Sequence, residues 1–148
     1  MIKNELSKLF LETIPPAMHL LRKHVRQSST PCLSVPQFRV LINIEHGLTH
    51  ICEIADHHGI SQPGMSKLVE GLVGRDFISK HPSPNDKRVI ELKLTKKGKT
   101  TLSKIKQKAV DNLNIDFSIL NKKEISELIK ALETLNTLVK NLKENNIK

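Results

Sequence analysis

The sequence has no tryptophan and no tyrosine, and only four phenylalanines among 148 residues. An aromatic ligand would therefore find few rings to stack on. Cysteine is nearly as scarce. Cys32 and Cys52 form no Cys-x-x-Cys pair and no disulfide framework, which points to a reducing, cytoplasmic setting. No apolar run approaches the roughly 18 residues of a membrane span, so no crossing of a membrane is expected. The segment Met1-Ile2-Lys3-Asn4-Glu5 is read as lacking the apolar core of a signal peptide. A Gly-rich phosphate loop, a His-Glu-x-x-His pair and a nucleophile elbow are all missing, so neither catalysis nor a cofactor is expected.

Acidic side chains are the next shortage. Asp and Glu number 15 against 24 Lys and Arg, leaving a net charge of +9 and an isoelectric point near 9.7. Such a surplus suits a polyanionic partner, nucleic acid or an anionic membrane surface, and of these two no membrane is assigned. It is also uneven: residues 59–99 hold nine basic and four acidic groups, whereas residues 1–58 hold six and five. Charge concentrated around one short stretch favours a nucleic-acid contact over a diffusely solvated surface.

Apolar periodicity supplies the framework. Leu6, Leu9, Phe10, Ile14, Ala17, Met18, Leu21 and Val25 fall on one helical face. Pro15-Pro16 predicts a kink or a restart within that helix, and 28–33 reads as a linker. Ser34 with Gln37 fits a capping box opening a helix with Phe38, Leu41 and Ile42 inside, stopping at Gly47. Thr49 is the expected cap of a short helix with Ile51, Ile54 and Ala55, which ends at Gly59. Cys52 is expected to pack within it. Ser61 caps a further helix to about Gly74 that buries Met65, Leu68, Val69 and Leu72. Phe77–His81 and Val89–Leu94 alternate around Pro82-Ser83-Pro84-Asn85-Asp86, the pattern of a hairpin with an exposed tip. Thr95 begins a helix with Leu102, Ile105, Ala109 and Leu113 inside. Asn121-Lys122-Lys123-Glu124 caps a last one carrying Leu128, Leu132, Leu135, Leu138 and Leu142.

Helix, tight turn, helix and hairpin is the order of a winged helix-turn-helix. The fold class is mainly α with a small β-hairpin wing, flanked by N- and C-terminal helices. Residues 34–98 are assigned to DNA binding. Residues 1–33 and 99–148 are assigned to a helical dimerisation region, the whole forming one intertwined domain. A small monomer has too little core to cover the end helices. Leu6, Leu9, Phe10, Leu128, Leu132, Leu135, Leu138 and Leu142 are therefore expected to build a homodimer. Ala55 lets the two motif helices approach, and Ile54, Ile60, Met65 and Leu68 fill the space between them. His58 stands where an apolar residue is expected.

With its apolar residues turned inward, the second motif helix presents Ser61, Gln62, Pro63, Gly64, Ser66 and Lys67 to a major groove. There Gln62 can pair with adenine, and Lys67 with guanine or a phosphate. Glu70 on the same face is repelled by phosphates unless it accepts from cytosine. At the tip, Asp86, Lys87 and Arg88 suit a minor groove, Asp86 holding the Arg88 guanidinium in a bidentate pair. His50, Cys52, His57 and His58 lie close in sequence, but their one- and two-residue separations place them on different helix faces, so no metal site is expected.

These residues together resemble the MarR-type winged-helix transcriptional regulators. The resemblance runs through Leu33–Leu41, Ile54–Gln62, Met65–Leu72 and Asp86-Lys87-Arg88, and closes with Leu92-Lys93-Leu94-Thr95-Lys96-Lys97-Gly98. It implies interlocked terminal helices, two recognition helices on a double-stranded, pseudo-palindromic operator, and Arg88 as the wing contact oriented by Asp86. It also implies repression relieved by a small anionic or phenolic effector. Some such regulators sense oxidants through a cysteine, which makes Cys32, expected to be exposed in the linker, a redox candidate. Phe77 stands where such regulators often have leucine. The alternative outside this class is a winged-helix protein–protein adaptor, which should show an apolar or acidic face where this chain has Gln62, Ser66, Lys67 and Arg88.

Overall fold

The computed structural model describes residues 1–145. Along the chain run α1 (Ile2–Ser29), α2 (Val35–Glu45), α3 (Ile51–His58), α4 (Gln62–Gly74), β1 (Ile78–Pro82), β2 (Ile90–Leu94), α5 (Lys96–Phe117) and α6 (Lys122–Asn145). This is the mainly α winged helix-turn-helix order. Two compact units are distinguished, Met1–Val110 and Asp111–Lys148, the division falling within α5.

Local chemistry sets most of the helix ends. The Ser34 hydroxyl accepts from the Gln37 amide at 3.3 Å while the Gln37 side chain accepts from the Ser34 amide at 3.0 Å, completing a capping box. Ser61 caps α4 through the Gly64 amide at 3.2 Å. Asn121 Oδ1 accepts from the Lys123 and Glu124 amides, and Glu124 returns the bond to the Asn121 amide at 2.8 Å. Gly59 closes α3 with φ +67°, a conformation that costs a residue with a Cβ about 1 kcal/mol or more.

One core lies in the first unit. Val40, Leu41, Ile54, Met65, Val69, Leu72, Leu92 and Leu102 are each fully buried, so α2, α3, α4, β2 and α5 share it. Ala55, 1 % exposed, lets α3 and α4 pack closely. In the antiparallel hairpin Ile78 stands opposite Leu94, Lys80 opposite Leu92 and Pro82 opposite Ile90. On its outer edge the Leu92 amide donates to the Thr49 carbonyl at 2.9 Å, which ties the wing to the segment before α3.

The base of the wing is a tight joint. Thr95 Oγ1 accepts from the Gly98 amide at 2.9 Å and donates to the Asp76 carbonyl at 2.6 Å, and the Thr95 amide donates to the Phe77 carbonyl at 3.1 Å. A Cβ on Gly98 would stand 2.0 Å from the Phe77 carbonyl oxygen, so the start of α5 can approach only as glycine. Arg75 and Lys97 each lie over the ring of the buried Phe77, 4.8 and 4.9 Å from its centroid.

Several expectations are corrected. α1 does not restart at Pro15-Pro16; the helix runs through both, and its mostly exposed surroundings let water serve the carbonyls that lose a partner. Ser28 and Ser29, expected in a linker, are buried residues at the end of α1. The N-cap of α3 is His50 rather than Thr49, and it makes no side-chain cap; its Nδ1 meets Glu53 Oε2 at 3.2 Å instead. Ile60 is 39 % exposed and not part of the core, because the left-handed turn at Gly59 carries it outward. Cys52 is exposed on α3, and Cys32 is half-buried against the core rather than exposed.

Candidate nucleic-acid interface

Helix α4 offers its outer side at its amino-terminal end. Ser61, Gln62, Pro63, Gly64 and Lys67 are exposed and Ser66 is half-buried, while Met65, Val69 and Leu72 anchor the inner side at no measurable exposure. Pro63 in the first turn needs no amide partner there, so it starts the helix without cost. The Ser61 hydroxyl is engaged in capping, which leaves Gln62, Ser66 and Lys67 as the polar groups of this face able to reach outward. Gly64 keeps the turn thin: a Cβ there would press the Ser61 hydroxyl at 3.2 Å.

The tip of the wing is fixed from within. The Ser83 amide donates to the Val89 carbonyl at 2.8 Å, and its hydroxyl, in a residue only 6 % exposed, donates to Glu91 Oε1 at 2.8 Å. Beyond that lock lie Pro84–Arg88, all exposed. Arg88 Nε meets Asp86 Oδ1 at 3.3 Å, and the Arg88 amide donates to the same oxygen at 3.0 Å. The expected bidentate pair is therefore not formed. One carboxylate oxygen serves both backbone and side chain, because the two residues are only two apart on a turn. The terminal guanidine nitrogens stay clear, and the Arg88 side chain is 92 % exposed. Lys87 beside it is exposed as well.

Two features here were not legible as interface elements. Glu70, at the middle of the outer face of α4, is paired with Lys80 of β1. Only the strand register could have located that partner, since ten residues separate the two. The other is His58, which explains its own polarity: Asn43 of α2, 8 % exposed, donates its amide to His58 Nε2 at 2.7 Å. Burial, then the nearby Arg39 and His57 charges, hold this imidazole below the usual histidine range. The lowered value favours the neutral ring, whose Nε2 can accept the amide bond.

A cleft lies between α1 and α2. It encloses about 180 Å³ and is lined by Met18, Leu21, Val25, Val35 and Phe38 with Arg22 and Arg39 at its polar side. In the second unit, α6 has no buried residue. Leu128, Leu132, Leu138 and Leu142 are 39–53 % exposed and Leu135 is half-buried. On α1, Leu6, Leu9 and Phe10 are 44–62 % exposed.

Known proteins share this arrangement. Residues 33–90 match the family model described as MarR family. The HTH-type transcriptional repressor IacR of Pseudomonas putida is 27 % identical over 70 % of this chain and 62 % of its own length. A structure of the transcriptional repressor CouR bound to a 23-mer DNA duplex is 28 % identical, with a TM-score of 0.62 over 89 % of this chain and 95 % of that one. A MarR family protein from Bacillus stearothermophilus has the same fold, with a TM-score of 0.77 at 17 % identity over 95 % of this chain and 99 % of that one. With residues 33–90 matched and its helix and hairpin order reproduced, the chain is similar to MarR-family winged-helix regulators in its motif region and in its fold.

Proposed function

We propose that this chain is a sequence-specific DNA-binding transcriptional repressor that acts as a homodimer in the cytoplasm. The observation that carries the reading is the pairing of two exposed polar elements on one rigid core: the outer face of α4 and the Arg88-bearing wing tip. Gln62, Ser66 and Lys67 enter a major groove, where amide, hydroxyl and ammonium groups read base edges or fix phosphates. Arg88, its amide and Nε anchored on Asp86, reaches into the adjacent minor groove, and Lys87 adds a phosphate contact. IacR is a repressor and CouR binds a DNA duplex, which supports carrying both properties to this chain.

Dimerisation follows from the uncovered leucines of α1 and α6. Leaving side chains such as Leu9, Leu132 and Leu142 more than half exposed is unfavourable by roughly 1 kcal/mol each, and a second copy removes that cost. The cleft between α1 and α2 is the proposed effector site. Its apolar wall and the two arginines that line it, Arg22 and Arg39, suit a small anionic ligand better than a purely aromatic one, since Phe38 is the one ring lining it. Half-burial of Cys32 favours this ligand route over oxidation as the release signal.

Selection from a random DNA pool with the purified chain tests the reading. An enriched inverted repeat, with half-sites about one helical turn apart, is the expected result. Failure to enrich any sequence, with affinity that tracks salt alone, overturns it.

A further inference from the structure

Glu70 is an anomaly for a helix face that meets phosphates: it is the one acidic side chain on the outer side of α4. A carboxylate there repels the DNA backbone unless something neutralises it. Lys80 does so. It rises from β1 opposite the fully buried Leu92, on a strand held to β2 by its register, and its ammonium meets Glu70 Oε1. The Lys80 and Glu70 side chains are 34 % and 63 % exposed, so the pair adds little to stability. Its position is what matters. It joins the middle of the recognition helix to the strand that carries the wing, and it occupies an ammonium that would otherwise be free beside the DNA.

We infer that the Glu70–Lys80 pair is a specificity brace: it holds Lys80 away from phosphate and fixes the wing relative to α4, so that indiscriminate binding is held down. This rests on the DNA-binding reading above. Sequence-independent affinity grows with every phosphate that a cation neutralises, whereas base contacts do not depend on that count. A cation kept in an internal pair lowers the affinity for random DNA and leaves the contacts of Gln62 and Lys67 in place. Glu70 and Lys80 are thus positioning residues, acting through where each puts the other.

The test is a double-mutant cycle on the full chain, read by anisotropy on a random duplex and on the selected operator across a salt series. Glu70→Gln releases Lys80 to a phosphate. Affinity for the random duplex should rise roughly threefold to tenfold, and its logarithmic salt slope should steepen by about 0.9 per protomer. The freed ammonium gains a phosphate on the operator as well, so the operator-to-random ratio should fall only by what a less firmly placed wing costs the operator's base contacts. In a Lys80→Gln background the same Glu70→Gln change has no ammonium to release, so the slope should not steepen. Because both side chains are exposed, both variants should melt as the parent does. Equal slope changes in the two backgrounds, or none in either, overturn the brace while the DNA-binding reading stands. If the unsubstituted chain binds neither duplex, that reading falls and the brace with it.

Discussion

The middle of the chain and its last helix are built from the same alphabet, leucines and isoleucines at three- and four-residue spacing, yet they end in opposite conditions. Between Leu33 and Ile105 those residues meet one another, and Leu41, Ile54, Leu72 and Leu92 have essentially no exposure. Along α6 they are covered only in part: Leu135 is half-buried, Leu128 is 39 % exposed, and no residue of the helix is buried. Periodicity tells which side of a helix will be covered, but not by what. Where the covering element is near in sequence, as with α3 and α4 across Gly59, the chain folds onto itself. Where the chain covers such a stripe only in part, the remainder is what the proposed second copy would cover.

That contrast can be broken at either end. Gly98→Ala strikes where the middle region is most tightly joined. A Cβ 2.0 Å from the Phe77 carbonyl must push the wing and α5 apart, with an expected loss of about 3 kcal/mol in urea unfolding. A loss under about 0.5 kcal/mol would show that the joint yields freely. Leu132→Glu, on the uncovered side, should leave the helix content by circular dichroism unchanged and convert a dimer to monomers in light scattering. A dimer that survives the charge would place the contact elsewhere. Arg88→Ala should weaken operator binding by about 1–3 kcal/mol in anisotropy without changing the melting temperature, because the side chain is 92 % exposed. The smallest expected effect is on pH. His58 has its folded-state pKa lowered from 6.5, so the unfolded chain takes up the proton first as pH falls. Stability from this group is complete above pH 6.5 and declines as pH drops through the lowered value. His58→Leu should flatten that part of the melting-temperature profile, and an unchanged profile would remove His58 as its source.

Features controlled by near neighbours could be read before the fold was known. Ser34 with Gln37, Ser61, Gly59 and Asn121 with Glu124 mark helix ends through groups at most three residues away, and each performs as its chemistry requires. The wing tip was legible for the same reason, apart from the way Asp86 divides one oxygen between the Arg88 amide and Nε. Features controlled from a distance were hidden. Asn43 reaches His58 across fifteen positions, Glu70 finds Lys80 only through the hairpin register, and Gly98 owes its identity to a carbonyl twenty-one residues earlier. At Pro15-Pro16 the expected restart does not occur. A local rule against proline in helices was outweighed by a turn whose freed carbonyls can bond to water.

The wing is mounted at Asp76, Phe77, Thr95 and Gly98, and locked again at Ser83 and Glu91, before the chain reaches the exposed tip at Pro84–Arg88. Mounting and reading are therefore separate inheritances. On the proposed reading, Pro84–Arg88 can change in length or chemistry and so retarget the protein to a different groove sequence, while the angle at which the arm leaves the body stays the same. The base has no such freedom, since a single methyl group at residue 98 has nowhere to go. Divergence of operator preference among relatives built this way should accumulate at the tip and spare the hinge that carries it.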